Sequence, residues 1–273
     1  MSTGGETLSV LPIKDLPIKD QISILGEELR NYPWKIAIDG PAASGKGTLV
    51  TGLTGVLKLE SCPSGDMYRA VTYYLTEILK LDTATLDDHA LAAHLVNFSI
   101  FFKNQADGKK HVIIPSESES VTEDVTDKLQ NPVIGKRVSD IAKRNPVRDV
   151  IKKQQLDMLS KGKIVIEGRD MWEIAKNDAN IVIYLHARDE VLIAREIQRQ
   201  EQCGVTLTPE DAAMIVTKRN VDDNARKRGK LLTFTEAQNA HVYDLIIDTS
   251  DMTPDEVLKD VLLKLAASPY SAG

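Results

Sequence analysis

Residues 35–48 read Lys35-Ile36-Ala37-Ile38-Asp39-Gly40-Pro41-Ala42-Ala43-Ser44-Gly45-Lys46-Gly47-Thr48, so an apolar run leads directly into a glycine-rich turn. This pattern predicts a buried strand followed by a phosphate-binding loop (P-loop), because Gly40 and Gly45 permit a tight turn whose backbone N–H groups point inward. Lys46 adds a positive charge that can reach the outer phosphates of a nucleotide. The apolar run from Leu49 to Leu57 predicts a helix whose positive N-terminal end faces the same anion. We therefore expect residues 40–48 to bind a nucleoside triphosphate.

The residue after the lysine narrows the class of loop. The common pattern has Ser or Thr there as a Mg²⁺ ligand, whereas this chain has Gly47 and the hydroxyl follows at Thr48. We expect phosphates and water to hold the Mg²⁺, with no direct protein ligand beyond the candidate Thr48. The pattern GxxxxGKGT resembles the loop of the nucleoside monophosphate kinases, which implies a second nucleotide site.

The composition limits what the rest of the chain can do. The 273 residues carry a net charge of −6 and are 42% apolar, which suits a globular core and argues against a general nucleic-acid binder. No apolar run approaches the roughly 20 residues that span a bilayer, and the N-terminus lacks the blocks of a signal peptide. We therefore expect a cytoplasmic protein without nucleic-acid or membrane partners. Cys62 and Cys203 lack metal-ligand spacing and are expected to be reduced thiols.

Residues 1–33 are predicted to be an N-terminal extension to a domain that covers 34–273. The extension contains a tandem repeat, Leu11-Pro12-Ile13-Lys14-Asp15 and Leu16-Pro17-Ile18-Lys19-Asp20. Asp20 is predicted to cap a short helix that carries Ile22, Leu25 and Leu29 on one face. This face is expected to pack on the domain, and the extension is also a candidate contact with a partner or a second copy of the chain.

Short apolar strands alternate with helical patterns from Trp34 onward. The predicted strands are 35–39, a weaker one near 61–64, 163–167, 181–185 and 245–248. This alternation predicts an α/β fold with a five-stranded parallel sheet flanked by helices. Between the second and third strands, 98–102 and 111–114 predict a small antiparallel insert. Helices are predicted at 133–144 and 146–160, the second with Asn145 as its cap.

Charged residues follow two of the predicted strands, at the sheet edge where ligands bind in open α/β folds. Glu167-Gly168-Arg169-Asp170-Met171 ends the third strand, and Ser64-Gly65-Asp66-Met67-Tyr68-Arg69 follows the second. Arginine forms bidentate pairs with phosphate oxygens, so Arg69 and Arg169 suit an acceptor phosphate. The alternative for either arginine alone is solvated surface.

A third charged group lies on a predicted helix near the C-terminal end. Arg219, Asp223 and Arg226 are spaced by four and three residues and therefore share one helix face. A surface ion-pair ladder would explain this spacing equally well. The surrounding basic residues favour a lid that closes on phosphates; they are Lys218, Lys227, Arg228 and Lys230.

Taken together, these motifs resemble those of the bacterial cytidylate kinases over about residues 35–263. The matching motifs are SGxxYR at Ser64, Gly65, Tyr68 and Arg69, a helical serine followed nine residues later by arginine at Ser139 and Arg148, DGRDM at Glu167–Met171, and RxxxDxxR at Arg219, Asp223 and Arg226. The resemblance implies a P-loop NTPase core at 34–70, 160–190 and 235–265. It also implies a monophosphate-binding insert at about 71–159 and a helical lid at about 195–232.

The resemblance further implies transfer of the ATP γ-phosphoryl group to CMP or dCMP with Mg²⁺. The groups around the transferring phosphoryl would be Lys46, Arg169, Arg226 and Arg195. The CMP phosphate would be held by Arg69, Arg169 and Arg226, beside Ser64 and Tyr68. The cytosine would be read by Ser139, Arg148 and Asp170, and the pentose would be held by Arg219 and Asp223. Cytosine chemistry agrees with this division, since its amine is a donor for Asp170 and its ring nitrogen and carbonyl are acceptors for Arg148.

Several residues depart from the family pattern. Two aspartates of the pattern are replaced by Pro63 and Glu167, and its Gly and Thr by Trp172 and Glu173. Two lid arginines are replaced by Leu192 and Glu196. Candidate substitutes for these arginines are Arg188 and Arg199. These departures concern substrate preference and rate more than fold. Two alternatives therefore stay open: a kinase for UMP or dTMP, and a nucleotide-binding module without turnover.

Overall fold

The computed structural model describes residues 13–104, 110–116, 121–202 and 204–268. The chain divides into two compact units, with the boundary after Ser61 and again before Leu159. The first unit contains the described residues up to Ser61 and from Leu159 onward, and the second is Cys62–Met158. Among the described residues, no helix combines the length and apolar character needed to cross a membrane.

The first unit is built on a five-stranded sheet with the order β2-β6-β1-β7-β8. Its strands are β1 Lys35–Asp39, β2 Glu60–Pro63, β6 Ile164–Glu167, β7 Ile181–His186 and β8 Leu245–Asp248. The β1 strand lies at the centre and pairs in parallel with both β6 and β7. Because Ile36, Ala37 and Ile38 are fully buried, β1 forms the middle of the core. The predicted parallel sheet is confirmed, and its central strand ends at the glycine-rich loop.

The helices of the first unit cover the sheet. They are α1 Ile18–Leu29, α2 Lys46–Leu57, α7 Met171–Ala175, α8 Asp189–Gln202, α9 Pro209–Asn224, α10 Phe234–Ala240 and α11 Pro254–Ala266. The start of α9 is fixed by local chemistry, since the Thr208 side chain accepts a hydrogen bond from the Asp211 amide and proline occupies the first turn.

The α1 helix corrects one prediction and confirms another. It begins at Ile18 after Pro17, so Asp20 lies in the first turn and does not cap it. Ile22, Leu25 and Leu29 are buried as predicted. The helix packs against α11 and α2, and its apolar face belongs to the same core as β1. The first copy of the repeat begins at Leu11, outside the described residues, and Cys203 also lies outside them.

In its described residues, the second unit combines four α-helices with a small antiparallel sheet. Its elements are α3 Ser64–Tyr73, which continues into a π-helical turn at Tyr74–Ile78, α4 Asp88–His94, β3 Phe101–Asn104, β4 Lys110–Pro115, β5 Thr122–Asp124, α5 Pro132–Ile141 and α6 Asn145–Ser160. The antiparallel insert is confirmed, but β5 was not predicted, because three residues reading Thr-Glu-Asp carry no apolar pattern. The α6 helix already includes Asn145, which was predicted as its cap.

Candidate active site

The loop between β1 and α2 has the backbone of a phosphate-binding turn. Gly40 and Gly45 have positive φ angles of 146° and 96°, and Ala43 also has a positive φ of 62°. A Cβ on Gly40 would lie 2.4 Å from the Leu185 carbonyl oxygen, so only glycine fits there. Helix α2 begins at Lys46, directly after Gly45. The first backbone N–H groups of α2, which have no acceptor within the helix, therefore face the loop, as in other anion sites at helix N-termini.

Lys46 is buried inside this loop. Its ammonium donates hydrogen bonds to the carbonyl oxygens of Gly40 at 2.8 Å and Pro41 at 2.7 Å. Burial, followed by the positive charge of Arg169, lowers the pKa of Lys46 to about 7. An anionic phosphate in the loop would favour the charged lysine again. The loop thus carries, at Lys46, an amine that a bound triphosphate would keep protonated.

A serine and a threonine link the loop to helix α8. The Ser44 hydroxyl is fully buried and has no hydrogen-bond partner among the described residues. The Ser44 carbonyl accepts from the Thr249 hydroxyl at 3.2 Å. Arg195 donates to that hydroxyl at 2.9 Å and to the Thr249 carbonyl at 2.8 Å. Arg195 therefore reaches the loop through Thr249, a residue that no sequence motif indicated.

Asp39, the last residue of β1, is a second site residue that the sequence analysis missed. Its buried carboxylate accepts from the backbone amides of Met171 at 2.9 Å and Trp172 at 2.8 Å, and from the Tyr243 hydroxyl at 3.0 Å. Burial raises the pKa of Asp39 to about 6, against the opposing effect of these hydrogen bonds. Asp39 thereby fixes the start of α7, next to Arg169 and Asp170. The available signal was an acidic residue ending an otherwise apolar strand.

The raised pKa of Asp39 predicts a pH dependence of stability. A carboxyl whose pKa is higher in the folded protein than in the unfolded chain stabilises the fold while protonated, and this stability is lost as pH rises. Between pH 4 and 7, we expect the free energy of unfolding of wild type to fall by about 2 kcal/mol relative to Asp39→Asn. Urea unfolding of both proteins across this range measures the difference. Parallel pH profiles would contradict the prediction.

The end of β6 and helix α9 bring three predicted arginines together. Asp223 is buried and forms ion pairs with both Arg169 and Arg226. Burial, followed by the charge of Arg219, lowers the pKa of Arg169 to about 10. Two guanidinium groups thus share the Asp223 carboxylate, and the charge of Arg219 also acts on Arg169, so the cluster keeps excess positive charge. Such a cluster can hold an anion at the carboxyl end of the sheet.

Helix α9 also contacts the loop directly. The Ala42 amide donates a 3.0 Å hydrogen bond to the side-chain oxygen of Asn220. Asn220 lies between Arg219 and Asp223 in sequence, but no motif indicated a role for it. One backbone amide of the phosphate-binding loop is therefore hydrogen-bonded to the helix that carries Arg219, Asp223 and Arg226.

Leu192 and Glu196, which stand on α8 in place of two lid arginines, are both buried. Leu192 packs with Ala187 and Val216 in a small apolar cluster. Burial opposes ionisation of Glu196, but hydrogen bonds from Arg199 at 2.5 Å and Gln200 at 2.8 Å lower its pKa overall. Arg188 instead pairs with Asp251 and Glu190 at the surface. In this state both candidate substitute arginines are held by carboxylates.

The second unit holds the remaining predicted substrate residues. Ser64 is buried and accepts a 2.6 Å hydrogen bond from the Gln155 amide. Arg148 is buried with its guanidinium 5.9 Å from the centre of the Tyr68 ring, and Arg69 donates to the Leu129 carbonyl at 2.9 Å. Ser139 is exposed on α5. Helix α3, which carries Ser64, Tyr68 and Arg69, packs against α5. Gln155 is an addition that sequence motifs did not indicate.

A divalent cation would find few protein ligands here. Within the described ranges, no group of three His, Cys, Asp or Glu side chains is arranged to hold a metal. Thr48 is exposed in the first turn of α2, two residues after Lys46. This donor set fits a Mg²⁺ ion that arrives with a nucleotide and keeps phosphate and water ligands.

Two comparisons with known proteins find similarity to the same family. A family model described as cytidylate kinase matches residues 36–267. The cytidylate kinase of Thermotoga neapolitana is 32% identical over 229 residues, which cover 84% of this chain and 95% of that protein. The cytidylate kinase of Thermodesulfovibrio yellowstonii is 31% identical over 233 residues, which cover 85% of this chain and 97% of that protein.

Proposed function

The chain belongs to the cytidylate kinase family, and from this premise we propose that it transfers the γ-phosphoryl group of ATP to CMP or dCMP, giving ADP and CDP or dCDP. The observation that carries the proposal is the Arg169–Asp223–Arg226 cluster, built on the buried Asp223, in the same compact unit as the phosphate-binding loop. A loop alone would suit any nucleotide-binding protein. An arginine cluster with excess charge suits a second phosphate.

The proposed chemistry needs alignment and charge neutralisation more than covalent participation. Lys46 and the loop amides hold the ATP phosphates, and Arg169 and Arg226 neutralise the charge that develops during transfer. Arg195, fixed by Thr249, borders the same loop. No general base is required, because the acceptor oxygen belongs to an already ionised phosphate.

The residues proposed to recognise the acceptor are those that the sequence motifs indicated. Arg69 holds the CMP phosphate with Arg169 and Arg226, next to Ser64 and Tyr68. Ser139, Arg148 and Asp170 read the cytosine, while Arg219 and Asp223 hold the pentose. Support comes from burial, since Arg148 and Asp170 are only 7% and 4% exposed and can therefore discriminate between bases with little competition from water.

Mg²⁺ is proposed as the metal, with ATP phosphates as its main ligands and Thr48 as the one candidate protein ligand. When bound, the ion would neutralise charge on the β- and γ-phosphates. The proposed place of action is the cytoplasm, in line with membership of the cytidylate kinase family.

Product analysis tests whether the protein turns over. With ATP, Mg²⁺ and CMP, phosphorus NMR should show ADP and CDP forming in equal amounts. Without CMP, ADP should form far more slowly, because water is a poor substitute for an aligned phosphate. ATP binding without any CMP-dependent ADP release would instead favour a nucleotide-binding module without turnover.

A further inference from the structure

Two side chains in the first turn of α7 hold the segment that follows helix α9. The indole N–H of Trp172 donates a 2.9 Å hydrogen bond to the Lys230 carbonyl. The Gly229 amide donates a 2.9 Å hydrogen bond to the Glu173 carboxylate. Trp172 and Glu173 therefore bind two consecutive residues of the neighbouring segment, and we call this pair of contacts the α7 clasp.

The clasped segment leads directly from the arginine cluster. Gly229, which has a positive φ of 63°, lies three residues after Arg226. Two residues further, the Leu231 amide donates to the Asp223 carbonyl at 3.2 Å. Leu231 and Leu232 are buried in a small apolar cluster, against which the Trp172 ring packs. The end of α9 is therefore fixed by polar bonds on one side and apolar packing on the other.

The same turn of α7 is fixed to the strand that precedes the phosphate-binding loop. Asp39 accepts from the amides of Met171 and Trp172, and Gly40 follows Asp39 directly in the chain. A continuous series of contacts thus runs from the loop through Asp39 and α7 to Gly229 and Lys230. Arg226 and Asp223 lie at the far end of this series.

We propose that Trp172 and Glu173 are positioning residues, which set the end of α9 so that Arg226 and Asp223 take their working places relative to the bound ATP phosphates. The proposal rests on the phosphoryl-transfer function proposed above. Neither residue needs to contact substrate, because both act through the backbone of Gly229 and Lys230.

The clasp predicts a loss of rate without a matching loss of ATP binding. Displacing a transition-state group by about 1 Å can cost up to about a hundredfold in rate, so we expect Glu173→Ala and Trp172→Phe each to lower kcat by about tenfold. The dissociation constant for ATP should change less than about twofold, since these variants leave the phosphate-binding loop and Lys46 unchanged. Glu173→Gln keeps a side-chain oxygen as acceptor and should retain most of kcat.

One control variant and a comparison of kcat with the folded fraction separate positioning from a loss of folding. Lys176→Ala changes an exposed residue at the other end of α7 and should leave kcat, ATP affinity and melting temperature unchanged. A fall in kcat that only followed the folded fraction of Glu173→Ala would overturn the proposal. So would a kcat equal to that of wild type in both Glu173→Ala and Trp172→Phe.

Hydrogen exchange gives a readout that does not depend on turnover. Backbone amides of peptides covering 219–232 should exchange faster in Glu173→Ala and Trp172→Phe than in wild type, while those of α11 should not. Unchanged exchange in 219–232 would overturn the clasp even if the protein is an active kinase. Conversely, a wild-type protein without CMP-dependent turnover would refute the proposed function, whatever the exchange rates.

Discussion

Replacing Arg226 with alanine is expected to lower kcat about a thousandfold or more, since an arginine that neutralises the transition state of phosphoryl transfer contributes on this scale. The fold should survive, because Asp223 remains paired with Arg169. Arg226→Lys should recover only part of the rate, since an ammonium keeps the charge but lacks the planar pair of donors. Steady-state kinetics with ATP and CMP measure the effect.

The control for Arg226 is an exposed arginine outside the site. Arg137→Ala removes a surface guanidinium that pairs with Glu77, and its kinetics should equal those of wild type. If Arg226→Ala kept near-native turnover, the role given to the arginine cluster on α9 would be wrong.

Replacing Lys46 with methionine should lower kcat by about a hundredfold to a thousandfold, the usual cost of removing one preorganised donor from a developing charge. Methionine fills a similar volume, and the loop amides remain, so ATP should still bind, though more weakly. Lys161→Met, at an exposed turn, serves as the matched control. Rates that fell equally in both variants would contradict the role of Lys46.

The pH profile adds an independent check on Lys46. With a pKa of about 7 in the nucleotide-free protein, the ammonium loses its proton as pH rises above neutrality. Because kcat/KM for ATP reports the free enzyme, it should fall as pH rises through about 7. Lys46→Met should lack this fall.

Local patterns predicted the elements that depend on local chemistry. The apolar run before Gly40 gave the central strand, and the helical spacing of Ile22, Leu25 and Leu29 gave the buried face of α1. The predicted cap at Asp20 was wrong because Pro17, with its fixed φ and missing N–H, already starts the helix nearby. Strand β5 was missed because its pairing with β4, and not its own sequence, makes it a strand.

The candidate site contains contacts that no local pattern could indicate. Asp39 meets α7 more than a hundred positions later in the chain, and Asn220 meets Ala42 across 178 positions. Thr249 joins Arg195 to the loop only because β8 ends beside it. Trp172 and Glu173 were visible in the sequence solely as departures from a family pattern. Their contacts with Gly229 and Lys230 emerge only from the folded chain.

Steady-state rates across a panel of acceptors, with CMP, dCMP, UMP, dTMP, AMP and GMP under saturating ATP and Mg²⁺, test the proposed reaction and the acceptor together. The highest kcat/KM values are expected for CMP and dCMP, because the residues proposed to read the base, Arg148 and Asp170, are each buried and carry the donor and acceptor groups that cytosine requires. A clear preference for UMP, dTMP or AMP would contradict the base-reading roles of Ser139, Arg148 and Asp170, and no turnover with any acceptor would contradict the kinase itself.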